Sequence, residues 1–230
     1  MIQFPHFQFS EEMSGMDCFL LLLIIVVLVM VLTIGPERHC YVESIASMYR
    51  YRSSDTEFIY PSGSLFRGIV VFLASCASFG LMLCSIEGDF SLDGGRGLIL
   101  FAFGSFFAAC FYLVKLILYM SVNSRLFRKQ IISVKPSRWN GFFNMLFSVS
   151  GVMFLVVALI VTFFGIPRLY GMILAFSVPV FIELGVIYKI KSSLFKNKVS
   201  GLDFFYYLCA LEFSPLALAI PVLMRVMYSI

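Results

Sequence analysis

Charge is scarce in this sequence: only 13% of its 230 residues are Asp, Glu, Lys or Arg, against about 25% in a soluble domain. Hydrophobic residues make up 60% and the mean hydropathy is +0.96. That balance excludes an ordinary water-soluble core and a disordered chain, and it points to one polytopic membrane domain. Histidine is nearly missing. The two present, His6 and His39, lie outside the long apolar runs, so no imidazole can serve as an intramembrane base or metal ligand. There is no G-x-S-x-G, H-E-x-x-H or Walker loop, which leaves an enzyme without a recognisable nucleophile. The six cysteines form no C-x-x-C pair, and five of them sit in apolar runs. A disulfide framework and a zinc site are both excluded, and the cysteines read as small core or lipid-facing residues. Asp89, Ser91, Asp93 and Gly94 resemble half a calcium loop, but Leu100 stands where the bidentate Glu belongs. Neither a metal nor a cofactor is therefore expected. No basic run carries enough interleaved aromatics to follow a phosphate backbone, so no nucleic-acid partner is expected either.

Long apolar runs are what the sequence has in abundance. They predict an all-α bundle of six transmembrane helices, at about 18–34, 65–86, 98–122, 142–164, 169–190 and 203–228, each close to the ~20 residues a bilayer requires. Residues 1–17 form a polar tail before the first span. That tail has no Lys or Arg, and the run after it is too long for a signal peptide, so the first span is expected to stay as an anchor. This span has no small or polar face and is expected at the lipid edge. The second carries Ala74, Ser78 and Gly80 at small-xxx-small spacings that allow close helix approach, and is expected inside the bundle. On the third, Gly104, Ala108, Phe111, Lys115 and Tyr119 share one stripe, which turns Lys115 inward. Gly165-Ile166-Pro167 is too short to be anything but the turn of a hairpin between the fourth and fifth spans.

Gly35-Pro36 is expected to break the first helix. Residues 36–52 place Tyr41, Ile45 and Met48 at helical spacing, which predicts a short amphipathic helix in the interface. Trp139 sits where an interfacial anchor would. The basic residues fall on alternate loops. Arg38, Arg50, Arg52 and Arg67 follow the first span, and Arg125, Arg128, Lys129, Lys135 and Arg138 follow the third. Lys189, Lys191, Lys196 and Lys198 follow the fifth, and outside Lys115 the opposite side has only Arg96, Arg168 and Arg225. By the positive-inside rule the odd loops are cytoplasmic and both termini face outward.

Three charges remain inside the spans. With that orientation Lys115, Glu183 and Glu212 all lie ~8–12 Å into the cytoplasmic half at 1.5 Å per residue. They form a cluster if the third, fifth and sixth helices are neighbours. One Lys facing two Glu is the arrangement of a proton relay or a cation site. The commoner reading of such a cluster is a structural staple, in which Lys115 snorkels and a Glu bonds backbone freed by a kink. Pro179, Pro215 and Pro221 are the candidate kinks, and Cys209, Pro215 and Ala219 share the face of Glu212.

The run Phe204-Phe205-Tyr206-Tyr207-Leu208-Cys209-Ala210-Leu211-Glu212 with Pro215-Leu216, and the block Trp139-Asn140-Gly141-Phe142-Phe143-Asn144, resemble an uncharacterised family of integral membrane proteins from Bacteroidota. The resemblance implies the inner membrane of a didermic bacterium and no chemistry. It marks Cys209, Glu212 and Pro215 as positions to test. The expected role is non-enzymatic: a component or assembly partner of a membrane complex, surrounded by lipid and paired with a membrane protein or a second copy of itself. The alternative is a small proton- or ion-coupled transporter using Lys115, Glu183 and Glu212. An intramembrane enzyme ranks third.

Overall fold

A computed structural model describes residues 12–49, 65–88, 95–126 and 136–194, together with Ala217 and Pro221. The sixth span expected at about 203–228, with Cys209, Glu212 and Pro215, lies outside the described residues apart from those two helical positions.

The described residues contain helices and no strands. They are α1 (Glu12–Ile34), a 3₁₀ turn (Gly35–Glu37), α2 (Arg38–Tyr49), α3 (Leu65–Glu87), α4 (Arg96–Leu126), α5 (Pro136–Phe164) and α6 (Arg168–Leu194). Among the described residues, five stretches are long and apolar enough to cross a membrane: Met16–Glu43, Phe66–Glu87, Arg96–Leu118, Phe143–Phe164 and Arg168–Ile187. Helix is the form these segments must take, because hydrocarbon offers no partner to an unpaired backbone N–H or C=O.

Helix α1 starts at Glu12 rather than Cys18. Phe19, Leu23, Val26 and Met30 are buried at spacings of four, three and four residues, a narrow seam laid against α3. Leu21, Ile24, Leu28 and Val31 are exposed and face outward. Gly35-Pro36 does not stop the chain. It tightens it into the 3₁₀ turn, with Pro in its first turn, and α2 follows directly. Proline is tolerated there because the first N–H groups of a helical turn have no intrahelical acceptor. Helix α2 then packs on α6, with Tyr41 and Ile45 half-buried and Val42 exposed.

Helix α3 is the spine of the bundle. It packs extensively on α5 and α4, and also meets α1 and α6; 67% of its apolar window is buried. Small residues make this possible. A Cβ added at Gly80 would lie 2.6 Å from the Phe101 carbonyl oxygen and 2.5 Å from Ser105 Oγ, on α4. One added at Gly151 of α5 would lie 2.7 Å from the Ser75 Cα. Gly104 meets Leu83 and Gly80 in the same crossing. Ala74 and Ser78 are buried, and Ser78 bonds its own Ala74 carbonyl at 2.8 Å.

The ends are closed locally. Gly88 (φ 69°) and Gly165 (φ 57°) cap α3 and α5 in the left-handed region, which a residue without Cβ enters at no steric cost. The Ile166 N–H returns to the Val161 carbonyl at 3.3 Å, the six-to-one bond of a helix-ending Schellman turn. This turn folds α6 back along α5 and brings Arg168 to within 2.7 Å of Glu87 at the end of α3. At the other end Arg67 of α3 pairs with Glu37 of the 3₁₀ turn.

The two glycine crossings should be intolerant of volume while other helical glycines are not. Gly151→Ala and Gly80→Ala should each cost about 1–3 kcal/mol, because backbone atoms of α3 or α4 block the new methyl. Gly68→Ala, with nothing within 4 Å, should be neutral. Melting of the detergent-solubilised protein measures this, and equal effects at Gly80 and Gly68 would refute the close crossing.

Candidate functional site

The described charges inside the bundle come together. Lys115 of α4 and Glu183 of α6 form an ion pair in which the Lys ammonium donates to Glu183 Oε1. Lys115 is 6% and Glu183 9% exposed, and both lie inside the apolar windows of their helices, near the ends at Leu118 and Ile187. Two ions taken out of water this far are tolerable only as partners. The Lys115 ammonium also stands 5.8 Å from the centre of the Phe143 ring, within range of a cation–π attraction.

The same helical stripe that carries Gly104, Ala108 and Phe111 delivers Lys115 to this position. Gly104 is spent on the α3 crossing, while Ala108, Phe111 and Lys115 line a cavity. On α6, Pro179 stands one turn before Glu183. Having no N–H, it leaves the Ala175 carbonyl without a helical donor, and Ala175 and Pro179 both line that cavity.

Beneath the pair lies an aromatic cluster. Tyr112 is buried with its ring 4.5 Å from Phe147 and 5.0 Å from Phe72, centre to centre. Its hydroxyl donates to Asn144 Oδ1 of α5, and Phe143 stands 6.3 Å away. One ring system thus holds Tyr112 and Phe143 and so fixes the wall on which Lys115 rests. Ser148 of α5 bonds the Asn144 carbonyl at 2.8 Å. The polar side chains are thereby concentrated at the end of the bundle where α1 finishes and α3 and α5 begin.

From this end a cavity of about 170 Å³ extends between α3, α4, α5 and α6. Its polar side chains are Tyr112, Lys115, Ser150 and Glu183; the other lining side chains are apolar. Ser150 bonds its own Phe147 carbonyl at 2.6 Å. Ser105 Oγ, buried beside Gly80, has no hydrogen-bond partner among the described residues. No group of three or more His, Cys, Asp or Glu side chains that could hold a metal converges among the described residues.

Of the three charges expected to cluster, Lys115 and Glu183 meet; Glu212 lies outside the described residues. Pro179 is inside α6, Pro221 is an exposed helical position, and Pro215 is not among the described residues. Sequence reasoning passed over Tyr112, although it lies three residues from Lys115 on the same helix and Asn144 is a polar residue at the head of an apolar run. It also passed over the end pairs Glu37–Arg67 and Glu87–Arg168. Each couples residues distant in sequence, and the only local signal is a carboxylate or guanidinium at the edge of an apolar run.

No curated protein and no solved structure matches this chain. A protein-family model described as "Domain of unknown function (DUF4271)" matches residues 18–223. It spans nearly the whole apolar region, and the chain therefore belongs to that family of unknown function.

Proposed function

We propose that this chain is a six-span protein of a bacterial inner membrane with both termini periplasmic. In this reading it acts without enzymatic activity, as a component or assembly partner of a membrane complex, and the Lys115–Glu183 pair is a clasp that holds α4 to α6. The observation that carries the reading is the chemistry of the cavity. Beyond the pair the polar lining is limited to Tyr112, bonded to Asn144, and Ser150, bonded to its own Phe147 carbonyl, and the rest turns to Phe79, Met82, Ile86, Phe154 and Met172. A proton or ion would need polar partners or water on both sides of the charged site. The clasp has a mechanical reason as well: α4 packs chiefly on α3 and α6 chiefly on α5, so a bond between their facing walls fixes their spacing. The basic residues on alternate loops and the family resemblance support the location. The helical positions Ala217 and Pro221 support a sixth span. Transport remains the second reading, favoured by the break at Pro179 beside Glu183.

A double-mutant cycle distinguishes the two. Lys115→Met or Glu183→Leu alone should cost about 3–5 kcal/mol, because each strands a buried charge, and the double variant should recover most of that loss. Strictly additive losses would remove the clasp. Proteoliposomes should show no ion flux, and native-membrane purification in mild detergent should yield a stoichiometric partner or homo-oligomer; flux abolished by Glu183→Gln would establish transport instead. For the topology, a cysteine reporter at Asp93 should label from the periplasm and one at Lys135 should not, and the opposite pattern would invert the orientation.

A further inference from the structure

The cavity between α3, α4, α5 and α6 holds about 170 Å³. An apolar cavity of about 150 Å³ stays dry and admits a benzene-sized molecule, so the space here is that of one substituted ring. Its wall is largely aromatic. Seven phenylalanines line it. Among them Phe79 of α3 meets Phe154 of α5 edge to face at 5.0 Å and lies nearly parallel to Phe107 of α4 at 6.2 Å. Such walls favour a planar ring, whose positive edge meets their negative faces. A flexible alkyl chain of the same volume would lose rotamer freedom on entering, and a ring has none to lose.

The polar groups in the wall decide what the ring must carry. Their hydrogens are directed into the protein. The Tyr112 hydroxyl donates to Asn144 Oδ1, Ser150 Oγ donates to the Phe147 carbonyl at 2.6 Å, and the Lys115 ammonium is engaged by the Glu183 carboxylate. The two hydroxyl oxygens keep acceptor lone pairs. Pro179 adds a further acceptor, since it has no N–H to give the Ala175 carbonyl one turn earlier, and both residues line the cavity. In hydrocarbon a carbonyl without its helical donor is costly, and an O–H on the ring would supply the missing donor. Net charge sets the last condition. Lys115 and Glu183 balance each other, and a further charge at this depth would stand unanswered.

We infer that the cavity is a binding site for a small neutral phenol: one aromatic ring against Phe79, Phe107 and Phe154, with its hydroxyl donating to the Ala175 carbonyl. The ring takes the space beside the ion pair and leaves the pair intact. The site therefore goes beyond the clasp and does not depend on it.

Fluorine NMR on the full chain in lipid nanodiscs tests the assignment. The probe is 4-fluorophenol. The control is 4-fluorotoluene, in which a methyl replaces the hydroxyl at nearly the same volume, compared at equal concentration in the bilayer. Saturable binding of 4-fluorophenol is expected, roughly fivefold tighter than that of 4-fluorotoluene, as one added hydrogen bond implies. Ala108→Phe, which fills the cavity from the α4 wall, should remove it. Absence of saturable phenol binding would overturn the inference. Equal affinity for the two probes would overturn it as well, because the cavity would then be an unselective apolar void. Phenol binding unchanged in Ala108→Phe would place the ligand elsewhere, with the same consequence. If Ala108→Phe does not fold, photolabelling of the unaltered chain with 4-azidophenol takes its place. Adducts on peptides carrying Phe79, Phe107 or Met172 are then expected, and adducts confined to other segments overturn the site. The Lys115/Glu183 cycle is unaffected by any of these results, so the clasp and the phenol site stand or fall separately.

Discussion

A lysine ammonium inside hydrocarbon has to be answered by an anion, and the answer determines where two helices stand. Lys115 cannot turn to lipid, because its stripe also carries the Gly104 that is locked against α3. It therefore points into the bundle, and α6 must present Glu183 to it. The desolvation of two such ions is several kcal/mol each even after relaxation, and their attraction offsets this only in good geometry. The aromatic wall of Tyr112, Phe143 and Phe147 supplies that geometry by leaving the Lys side chain few other positions. The pair says more about which arrangement of α4 and α6 is adopted than about how much free energy folding releases.

The second constraint is the backbone's. Small polar residues in the interior of α3 suggest a hydrogen-bonding seam, yet the structure uses them mainly for their size. Ser75, Ser78 and Ser85 each bond the carbonyl four residues earlier on their own helix, which satisfies the hydroxyl without a neighbour. What reaches across is contact: Ser75 against Gly151, and Gly80 against Phe101 and Ser105. An exception is Thr162 of α5, whose hydroxyl donates to Ser85 Oγ at 3.1 Å. In a bilayer, where burying apolar surface between helices gains little, close van der Waals approach carries the association. The spine role of α3 follows from its small residues for that reason.

How much of this was legible in the sequence depends on the range of the signal. The five described spans follow from runs of apolar residues, and the inward turn of Lys115 follows from sharing a stripe with Gly104 and Ala108; both are read within one helix. The seam of α1 also has a period visible in the sequence, although Leu, Ile and Val on every side hide it. The Gly35-Pro36 pair was legible as well: α1 ends at Ile34, and Pro36 opens the 3₁₀ turn that leads into α2. The choice of Glu183 as the partner of Lys115 is a contact across 68 residues. Tyr112 with Asn144 spans 32. No local pattern encodes such pairs, so they had to come from the packing.

The ion pairs divide the work between position and burial. Glu87–Arg168 and Glu37–Arg67 tie opposite ends of α3, with their Arg side chains 46% and 39% exposed. At such sites water screens the attraction, and a pair is worth about 0–1 kcal/mol. Their value is registration: one holds the start of α6 to the end of α3, the other holds the turn after α1 to the start of α3. With those ends set, α4 and α6 are left to close on each other at one place, and the buried pair stands there. A charge pair at one end of a largely apolar cavity makes a poor route for ions, since the path beyond it offers mostly Phe and Met, with only the already bonded hydroxyls of Tyr112 and Ser150. It makes a specific lock, because an apolar pair of similar volume would close the same gap without dictating which helices meet. The same geometry that weakens the case for transport strengthens the case for an assembly element whose helices must stand in one defined order.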